Sequence, residues 1–274
     1  MNDKMSVEIP SWTFDRKDWY EIMDTAIKRD AECVALILMK NGVINNGNGY
    51  STLKTKNYGT LFNLCECEPF RDQPVVTVPF FTGFLIKDDV IATAGHCVNG
   101  KNVSLLRIVF GFRIVGPFVS ITAIPNENIY SGIKIIGIGD KSNGSDWALI
   151  KLDRKVKDKM MATLSRSEIY CNKSIHVLGH PVGLPLKYAS GETVSDNSDK
   201  SYFTANLNIY SGNSGSPVFN SDKHEVIGLV VRGYDQYFSL EKDCWVSIDH
   251  ANLFSHGGVH CTKVSEFIDF IGKL

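Results

Sequence analysis

The sequence predicts an all-β fold with one helix near each end of the chain. Short apolar or alternating segments run through its middle, and turn-forming residues separate them at fairly regular intervals, which is typical of sandwiches and barrels. Helical periodicity is strong only before residue 32 and after residue 260. With 274 residues, 43% of them hydrophobic and 22% charged, the chain is long enough for one large β domain or two small ones, and it is not disordered.

The first helix is predicted for residues 15–31, where apolar side chains recur at helical spacing and would pack on the outside of a β core. These side chains are Trp19, Ile22, Met23, Ala26 and Ile27. A buried strand is predicted next, over residues 33–39. The Asn- and Gly-rich segment 41–51 then predicts a loop.

The series of predicted strands fills most of the chain after residue 74. Its members are segments 75–86, 90–94, 103–114, 129–138, 147–152, 175–178, 202–210, 217–219 and 226–231. The charged segment 152–159 predicts a solvated connector between two β units. A closing helix is expected at the end of the chain, with Thr262 available as its N-cap. The residues of its apolar face are Val264, Phe267, Ile268, Ile271 and Leu274.

The charge balance excludes several classes of partner. Lys and Arg number 29 against 30 Asp and Glu, so the formal net charge is −1, and neither a nucleic-acid nor a membrane partner is expected. No apolar run approaches the roughly 18 residues that a membrane-spanning helix needs. Charged residues interrupt segment 1–20, where a secretory signal would need an apolar stretch, so we expect a cytoplasmic location unless export uses another route.

The cysteines predict reduced thiols rather than a disulfide framework, because there are seven of them at irregular spacing. Cys65 and Cys67 would point to opposite faces of an extended segment, which argues against a bridge between them. The sequence leaves open whether Cys244 and Cys261 pair.

No metal site is predicted. The C-terminal quarter is rich in residues that bind zinc, but it lacks the short paired spacings of zinc fingers, so we interpret them as loop residues. These residues are Cys244, His250, His256, His260 and Cys261.

Three separate segments contain the side chains that a hydroxyl nucleophile requires. Segment 212–219 (GNSGSPVF) places Ser214 between glycines, where a tight turn presents consecutive N–H groups to one point; alone it is also typical of a hairpin turn. Segment 90–98 (VIATAGHCV) leads an apolar strand into His96, which alone is also consistent with a packing residue. Segment 144–152 (GSDWALIKL) puts Asp146 at the start of a strand, where alone it would be a cap or turn residue.

Jointly these segments resemble the chymotrypsin-like (trypsin-like) serine peptidases, in the chain order His, Asp, Ser, and more closely the bacterial glutamyl-endopeptidase-like branch. The resemblance is carried by TAGHC, SDWALIKL and GNSGSPVFN, with support from TGFLI (82–86) and GHPVGLPLKY (179–188), and it covers about residues 75–233. It implies two six-stranded antiparallel β-barrels with the active site between them. We therefore expect an N-terminal helical extension over 1–32, a first barrel over 33–155, and a second barrel with the C-terminal helix over 156–274.

The resemblance also implies roles for individual residues. Ser214 would be the nucleophile, His96 the general base and then acid, and Asp146 the orienting carboxylate. Backbone N–H groups of Gly212 and Ser214 would form the oxyanion hole. The implied function is a serine endopeptidase that hydrolyses protein substrates through an acyl-enzyme intermediate and requires no cofactor. The implied substrate-binding residues are Asn208, Val230, Val231, Arg232 and Gly233.

Two departures from the family pattern concern covalent structure and activation. In the secreted digestive relatives, the cysteine after the catalytic histidine is bridged to one that precedes the TGFLI-like strand. Phe81 occupies that position here, which predicts that the bridge from Cys97 is absent. Asn213 replaces the aspartate that pairs with a newly cleaved N-terminus in trypsin-type zymogens, so this mode of activation should not apply.

Three further departures concern specificity. Asn208 stands where trypsin-like enzymes have a carboxylate for basic side chains, and Val230 stands where glutamyl endopeptidases have a histidine. A preference for Lys, Arg or Glu therefore loses its usual basis, and an apolar pocket is one outcome. Arg232 could supply positive charge, although an arginine that faces solvent or pairs with Asp235 is the simpler interpretation.

Alternatives remain for the site and the function. His180 is a rival base, although its Pro- and Gly-rich neighbourhood indicates a turn, and Asp140 is a rival carboxylate. The alternative function is a catalytically silent chymotrypsin-fold module that binds proteins. The sequence does not identify a regulatory protein partner.

Overall fold

The computed structural model describes residues 16–98, 100, 102–117, 119–233, 238–248 and 258–272. Strands dominate this part of the chain. The strands of the N-terminal half are β1 (Arg16–Asp18), β2 (Val34–Met39), β3 (Val43–Asn45), β4 (Tyr50–Leu53), β5 (Thr55–Asn57), β6 (Pro74–Val76), β7 (Phe80–Lys87), β8 (Val90–Thr93), β9 (Leu106–Phe110), β10 (Ile114–Gly116), β11 (Val119–Ser120), β12 (Ala123–Pro125), β13 (Ile129–Ile138) and β14 (Ala148–Leu152). Those of the C-terminal half are β15 (Ser174–Gly179), β16 (Lys187–Asp196), β17 (Tyr202–Asn206), β18 (Pro217–Asn220), β19 (Glu225–Arg232), β20 (Phe238–Glu241), β21 (Cys244–Ser247) and β22 (Val259–Lys263).

The helices of the described residues are short. The α-helices are α1 (Thr25–Ala31), α2 (Tyr58–Phe62), α3 (Gly95–Val98) and α4 (Ile268–Ile271). Single 3₁₀ turns occur at Trp19–Glu21, Lys40–Gly42, Val103–Leu105, Asn126–Asn128, Lys141–Asn143, Pro181–Gly183 and Val264–Glu266. Among these described elements we find no helix with the length and apolar character to cross a bilayer.

Strands of the N-terminal half close into one antiparallel barrel in the order β13-β14-β8-β7-β2-β9. Closure is achieved because β2 pairs on one side with β7 and on the other with β9. Strand β2 consists of apolar residues alone, and Val34 through Leu38 are all buried, as expected for a strand covered on both faces. The predicted strand at 33–39 therefore lies in the wall of the first barrel.

A second closed barrel is formed by β16, β15, β18, β19, β22 and β17, because β17 also pairs with β16. The two barrels share one buried apolar cluster, to which the first contributes Phe84 and Leu149 and the second contributes Leu178 and Phe219. The predicted fold class, all-β with two six-stranded antiparallel barrels, is confirmed. This shared core packs the two barrels against each other.

The first predicted helix is correct only in its second half. Asp24 caps the start of α1 by accepting a hydrogen bond from the Ala26 N–H. Residues Arg16–Asp18 instead form β1, which pairs with the edge of β16 in the second barrel. The side chains of Arg16 and Asp18 are buried there, with Asp18 in an ion pair with Lys187, so tertiary pairing overrides the local helical periodicity.

Other predictions about local structure need correction. The predicted loop 41–51 contains the hairpin of β3 and β4, whose turn uses Gly47 and Gly49 at positive φ. The prediction of reduced thiols is wrong for one pair, because Cys65 and Cys244 form a disulfide. The closing helix is one turn long, and Thr262 lies in β22 rather than at an N-cap. Leu274 of its predicted apolar face is outside the described residues.

Candidate active site

The pairing of β8 with β14 brings His96 and Asp146 together. The register places Thr93 opposite Ala148, so the residues that follow β8 and precede β14 meet at one end of the first barrel. His96 lies in α3, and its Nδ1 is 2.8 Å from Asp146 Oδ2. The backbone N–H of His96 donates to Asp146 Oδ1, also at 2.8 Å. Both carboxylate oxygens of Asp146 are thus used to orient one histidine.

Gly95 makes this close contact sterically feasible. A Cβ atom at this position would lie 2.9 Å from Asp146 Oδ1 and 2.9 Å from the Trp147 carbonyl oxygen. Both distances are shorter than real Cβ contacts allow. The Trp147 oxygen belongs to the backbone, and Asp146 Oδ1 is held by its hydrogen bond from the His96 N–H. The glycine before the histidine is therefore needed so that the carboxylate can reach the backbone of α3.

Asp146 is buried and ionised. Burial by itself disfavours the charged form, but the hydrogen bonds from the His96 ring and backbone, with the attraction of the imidazole, outweigh it and lower the pKa of Asp146. Thr262 holds the Asp146 backbone: its hydroxyl accepts from the Asp146 N–H and donates to the Asp146 carbonyl, each at 3.2 Å. The His96 side chain remains 30% exposed, so its ring is accessible to solvent.

Ser214 lies in the second of two consecutive tight turns in the second barrel. The Asn213 N–H donates to the Tyr210 carbonyl, and the Ser216 N–H donates to the Asn213 carbonyl. Gly212 and Gly215 have φ values of 94° and 85°, which only glycine adopts easily. Among the described residues, the N–H groups of Gly212 and Ser214 donate to no backbone carbonyl, so both are available to an incoming oxyanion.

Thr82 fastens the serine turn to the first barrel. Its hydroxyl donates to the Gly212 carbonyl at 2.8 Å, and its backbone N–H donates to the Ser214 carbonyl at 3.0 Å. On the same side, a Cβ at Gly215 would lie 3.0 Å from the Ala94 nitrogen, two residues before His96. The structure thus brings the Ser214 turn against the end of β8, where His96 follows.

The serine hydroxyl and the His96 ring do not share a hydrogen bond in the part of the chain that is described. His96 uses Nδ1 for Asp146, which leaves Nε2 as the ring atom available to a nucleophile. Hydrogen bonds of this kind are often long in proteins without substrate and tighten when it binds. The direct contact that the structure contains is therefore the one between His96 and Asp146.

The predicted substrate-binding residues come from the segments before and after the serine turn in the chain. Asn208 is 1% exposed, and neither polar atom of its side chain has a hydrogen-bond partner among the described residues. Val230 is buried, and its carbonyl accepts from the Gly215 N–H at 2.7 Å. Val231 and Gly233 are half-buried and Arg232 is exposed, while Asp235 lies outside the described residues.

The rival residues have other roles in the structure. His180 is buried, its Nδ1 lies 3.0 Å from the Leu184 carbonyl, and burial lowers the pKa of His180 to about 4. Asp140 is exposed and caps the 3₁₀ turn Lys141–Asn143 by accepting from the Ser142 N–H. The carboxylate that meets His96 is therefore Asp146.

The three described members of the Cys- and His-rich C-terminal quarter have separate surroundings. Cys244 is in the disulfide, Cys261 is buried in β22, and the ring of His260 stacks on Tyr202. His250 and His256 lie outside the described residues.

Sequence reasoning missed the positioning roles of Thr82 and Thr262. Thr82 is the first residue of the TGFLI segment, whose resemblance to the family was the available signal. Thr262 carried no such signal, since its partner Asp146 is 116 residues away in the chain.

Comparisons with known proteins agree with this geometry. A trypsin-like peptidase domain matches residues 81–229, a range that includes His96, Asp146 and Ser214. The glutamyl endopeptidase of Staphylococcus epidermidis is 28% identical over 170 residues, which are 58% of this chain. The chain spans about half, 56%, of the length of that relative.

Two solved structures share the fold at low sequence identity. A Glu endopeptidase in complex with MPD superposes with a TM-score of 0.55 at 15% identity, over 94% of this chain and 95% of the other. The Rv3671c protease of M. tuberculosis, in an inactive form, superposes with a TM-score of 0.52 at 12% identity, over 90% of this chain and 91% of the other. At these identities the likeness extends to the arrangement of the two barrels.

Proposed function

Because the chain belongs to the trypsin-like peptidase family, we propose that it is a serine endopeptidase whose reaction uses Ser214, His96 and Asp146. The observation that carries the proposal is the double hydrogen bond of Asp146 to His96, beside a serine turn with unused N–H groups. A histidine oriented through Nδ1 offers Nε2 to a nucleophile, and the unused N–H groups offer an oxyanion site. The finer assignments below rest on this arrangement.

In the proposed reaction, His96 Nε2 accepts the proton of the Ser214 hydroxyl as its oxygen attacks the scissile carbonyl. The N–H groups of Gly212 and Ser214 stabilise the oxyanion that forms, a type of contribution typically worth about 3–4 kcal/mol per donor. Protonated His96 then gives its proton to the leaving amine, which produces an acyl-enzyme on Ser214. Water, deprotonated by His96, hydrolyses this ester and restores the serine.

Asp146 keeps its charge throughout this cycle. Its low pKa, maintained by hydrogen bonds from His96 against the cost of burial, favours the carboxylate at neutral pH. The negative charge stabilises the imidazolium that appears during the attack, and the Nδ1 hydrogen bond keeps the ring in one tautomer.

A fluorophosphonate probe tests the nucleophile. We expect covalent labelling of the full chain at Ser214, abolished in Ser214→Ala and blocked in His96→Ala, with circular dichroism showing that both variants fold. Ser211→Ala is the matched control, because Ser211 is exposed in the adjoining turn, and it should label like the native chain. A folded native chain that resists the probe would favour the catalytically silent binding module instead.

The substrate is proposed to be an extended polypeptide that pairs with the edge of residues 231–233, since main-chain pairing gives affinity without side-chain selection. The name of the matched relative suggests cleavage after Glu, but Val230 is apolar and Asn208 is neutral. A buried amide with unpartnered atoms can donate to or accept from a polar side chain, and it gives no ion pair to a basic one.

We therefore propose cleavage after uncharged or acidic residues rather than after Lys or Arg. Digestion of an unbiased peptide library by the native chain, read by mass spectrometry, tests this preference. Asn208→Asp is the matched variant, and its new carboxylate should shift cleavage toward basic residues. A native chain that cleaves mainly after Lys or Arg would contradict the proposal.

A further inference from the structure

A second group of chemically active side chains lies away from His96. Asp30 near the end of α1, His176 in β15 and His224 in the turn between β18 and β19 place one ligand atom each within 4.8 Å of one another. Asp30 Oδ2 is 2.6 Å from His224 Nδ1 and 3.3 Å from His176 Nε2. This cluster, which we call the Asp30 cluster, shares no residue with the proposed peptidase site.

The ring of His176 is held in one orientation with one nitrogen unused. It stacks on Phe219 with ring centroids 4.9 Å apart and an interplanar angle of 6°. Its Nδ1 lies 3.2 Å from the Ser221 hydroxyl, while Nε2 has no hydrogen-bond partner among the described residues. The side chain is 1% exposed, so water does not satisfy this nitrogen from bulk solvent. A fixed, buried imidazole nitrogen that lies 3.3 Å from a carboxylate oxygen, without the geometry of a hydrogen bond to it, is a poised metal ligand.

The position of Asp30 favours a cation as well. Its side chain is 7% exposed, and it lies in the last turn of α1, where the helix dipole disfavours negative charge. An imidazole can donate a hydrogen bond to this carboxylate but supplies a full positive charge only when it is protonated. A bound divalent ion would neutralise the charge and use the spare nitrogen of His176 in one step.

From these observations we propose that Asp30, His176 and His224 form a zinc site. Two imidazoles and one carboxylate are a ligand set that suits Zn²⁺, with three protein ligands and a fourth position for water. Bonds of about 2.0–2.1 Å to a tetrahedral ion put ligand atoms about 3.3 Å apart, which is the separation of Asp30 Oδ2 and His176 Nε2. The 2.6 Å separation of Asp30 Oδ2 and His224 Nδ1 is shorter than this, so His224 has to shift to bind the ion, and it lies in a turn and is 21% exposed.

The surroundings leave room for the fourth ligand. An open cavity of about 280 Å³ borders Asp30 and His224 and is lined also by Cys33, Met161 and Glu225. An ion here would join α1, which leads into the first barrel through β2, to the hairpin of the second barrel. Zinc would therefore act as a cross-link between the N-terminal part of the chain and the second barrel.

Metal binding is tested on the full chain without a histidine tag, after removal of metals with a chelator. We expect calorimetric titration with ZnCl₂ to give one tight site, confirmed by elemental analysis after gel filtration. His224→Asn should weaken this site by about 100-fold or more, since even partners of metal ligands contribute about 10–100-fold. Lys223→Ala, in the same turn, is the matched control and should bind zinc like the native chain.

Asp30→Asn and His176→Gln should also weaken zinc binding, but both change buried residues and either variant could fail to fold. A second measurement therefore uses the native chain and His224→Asn alone. Cobalt(II) at the site should give the visible absorption of tetrahedral nitrogen and oxygen ligation without a thiolate charge-transfer band, and His224→Asn should abolish it. Zinc should raise the thermal midpoint of the native chain but not of His224→Asn. Absence of a tight site in the native chain, or equal binding by His224→Asn, would overturn the assignment.

Discussion

Two places in the molecule bring imidazole rings to a buried aspartate, and they differ in how the carboxylate is used. At His96, one residue takes both oxygens of Asp146, through its backbone N–H and its ring. At the Asp30 cluster, a single oxygen of Asp30 faces the rings of both His176 and His224. The arrangement at Asp146 orients a single imidazole ring. The arrangement at Asp30 brings nitrogen atoms of two rings to one carboxylate oxygen.

The exposure of the rings differs in the same sense. The side chain of His96 is 30% exposed, whereas that of His176 is 1% exposed. A ring that carries protons to a substrate must be reachable, while a ring that binds an ion needs only a fixed lone pair. The way the carboxylate is shared therefore agrees with the two roles proposed, proton transfer at His96 and ion binding at the Asp30 cluster.

The largest effect is expected from Asp146→Asn, which removes the negative charge beside His96 but keeps the size and shape of the side chain. We expect kcat for a peptide substrate to fall by about 10⁴-fold, because the amide favours the wrong ring tautomer and does not stabilise imidazolium. Steady-state kinetics on the folded variant check this. Asp140→Asn changes an exposed carboxylate and should leave kcat within about twofold of the native value; similar losses in both variants would contradict the role of Asp146.

The sequence predicts the His96–Asp146 pair but not the Asp30 cluster. The segments around His96 and Asp146 have strong local patterns, an apolar strand that ends in TAGHC and an apolar strand that starts at SDW. Each residue alone was ambiguous, and it was the joint resemblance of their segments to the family that allowed both to be named in advance. The pairing of β8 with β14 that brings them together is a feature of the structure. The strand series was readable from the sequence, since alternation is a local signal.

The features that sequence reasoning missed depend on contacts between distant segments. Cys65 and Cys244 are 179 residues apart, and Asp30 and His224 are 194 residues apart. The sequence around each of these four residues does not indicate its partner, because the two come together only when the two barrels have assembled. Segment 16–18 is a similar case, because the helix prediction there rests on local periodicity and the pairing with β16 is equally remote in the chain.

The second-largest effect is expected from a substitution of Gly95, the residue whose backbone lies against Asp146. Gly95→Ala should lower kcat by about 10²-fold, because the added methyl group meets Asp146 Oδ1 and shifts it from the ring by a fraction of an ångström. Gly116→Ala is the matched control, since the nearest atom to its Cβ would be 3.9 Å away. Kinetics and thermal unfolding of both variants check the prediction. Equal activity in the two would show that Asp146 tolerates displacement.

His180 sharpens the comparison because it is an imidazole with no aspartate. Burial lowers the pKa of His180 to about 4, so below pH 6.5 the unfolded chain takes up a proton that the folded chain refuses. Stability should fall as the pH drops from 6.5 to 4, by up to about 3 kcal/mol, and this contribution should be constant above pH 6.5.

Urea unfolding at several pH values measures the slope, and His180→Gln should flatten it. Ring resonances of His180 in NMR spectra provide a second check if that variant does not fold. A ring that titrates near 6.5 in the folded chain would contradict the burial argument.

The smallest effect is expected from Thr262→Val, an isosteric change that acts on the Asp146 backbone. Loss of both hydrogen bonds to Asp146 should destabilise the fold by about 1–3 kcal/mol, because a buried N–H and a buried carbonyl lose their partner. A several-fold fall in kcat should accompany it, since Asp146 then orients His96 less firmly. Thr60→Val, at an exposed position of α2, should change neither quantity. If Thr262→Val loses stability but keeps full kcat, the threonine supports the barrel alone, and the hydrogen bonds of Asp146 to His96 are sufficient to hold the pair.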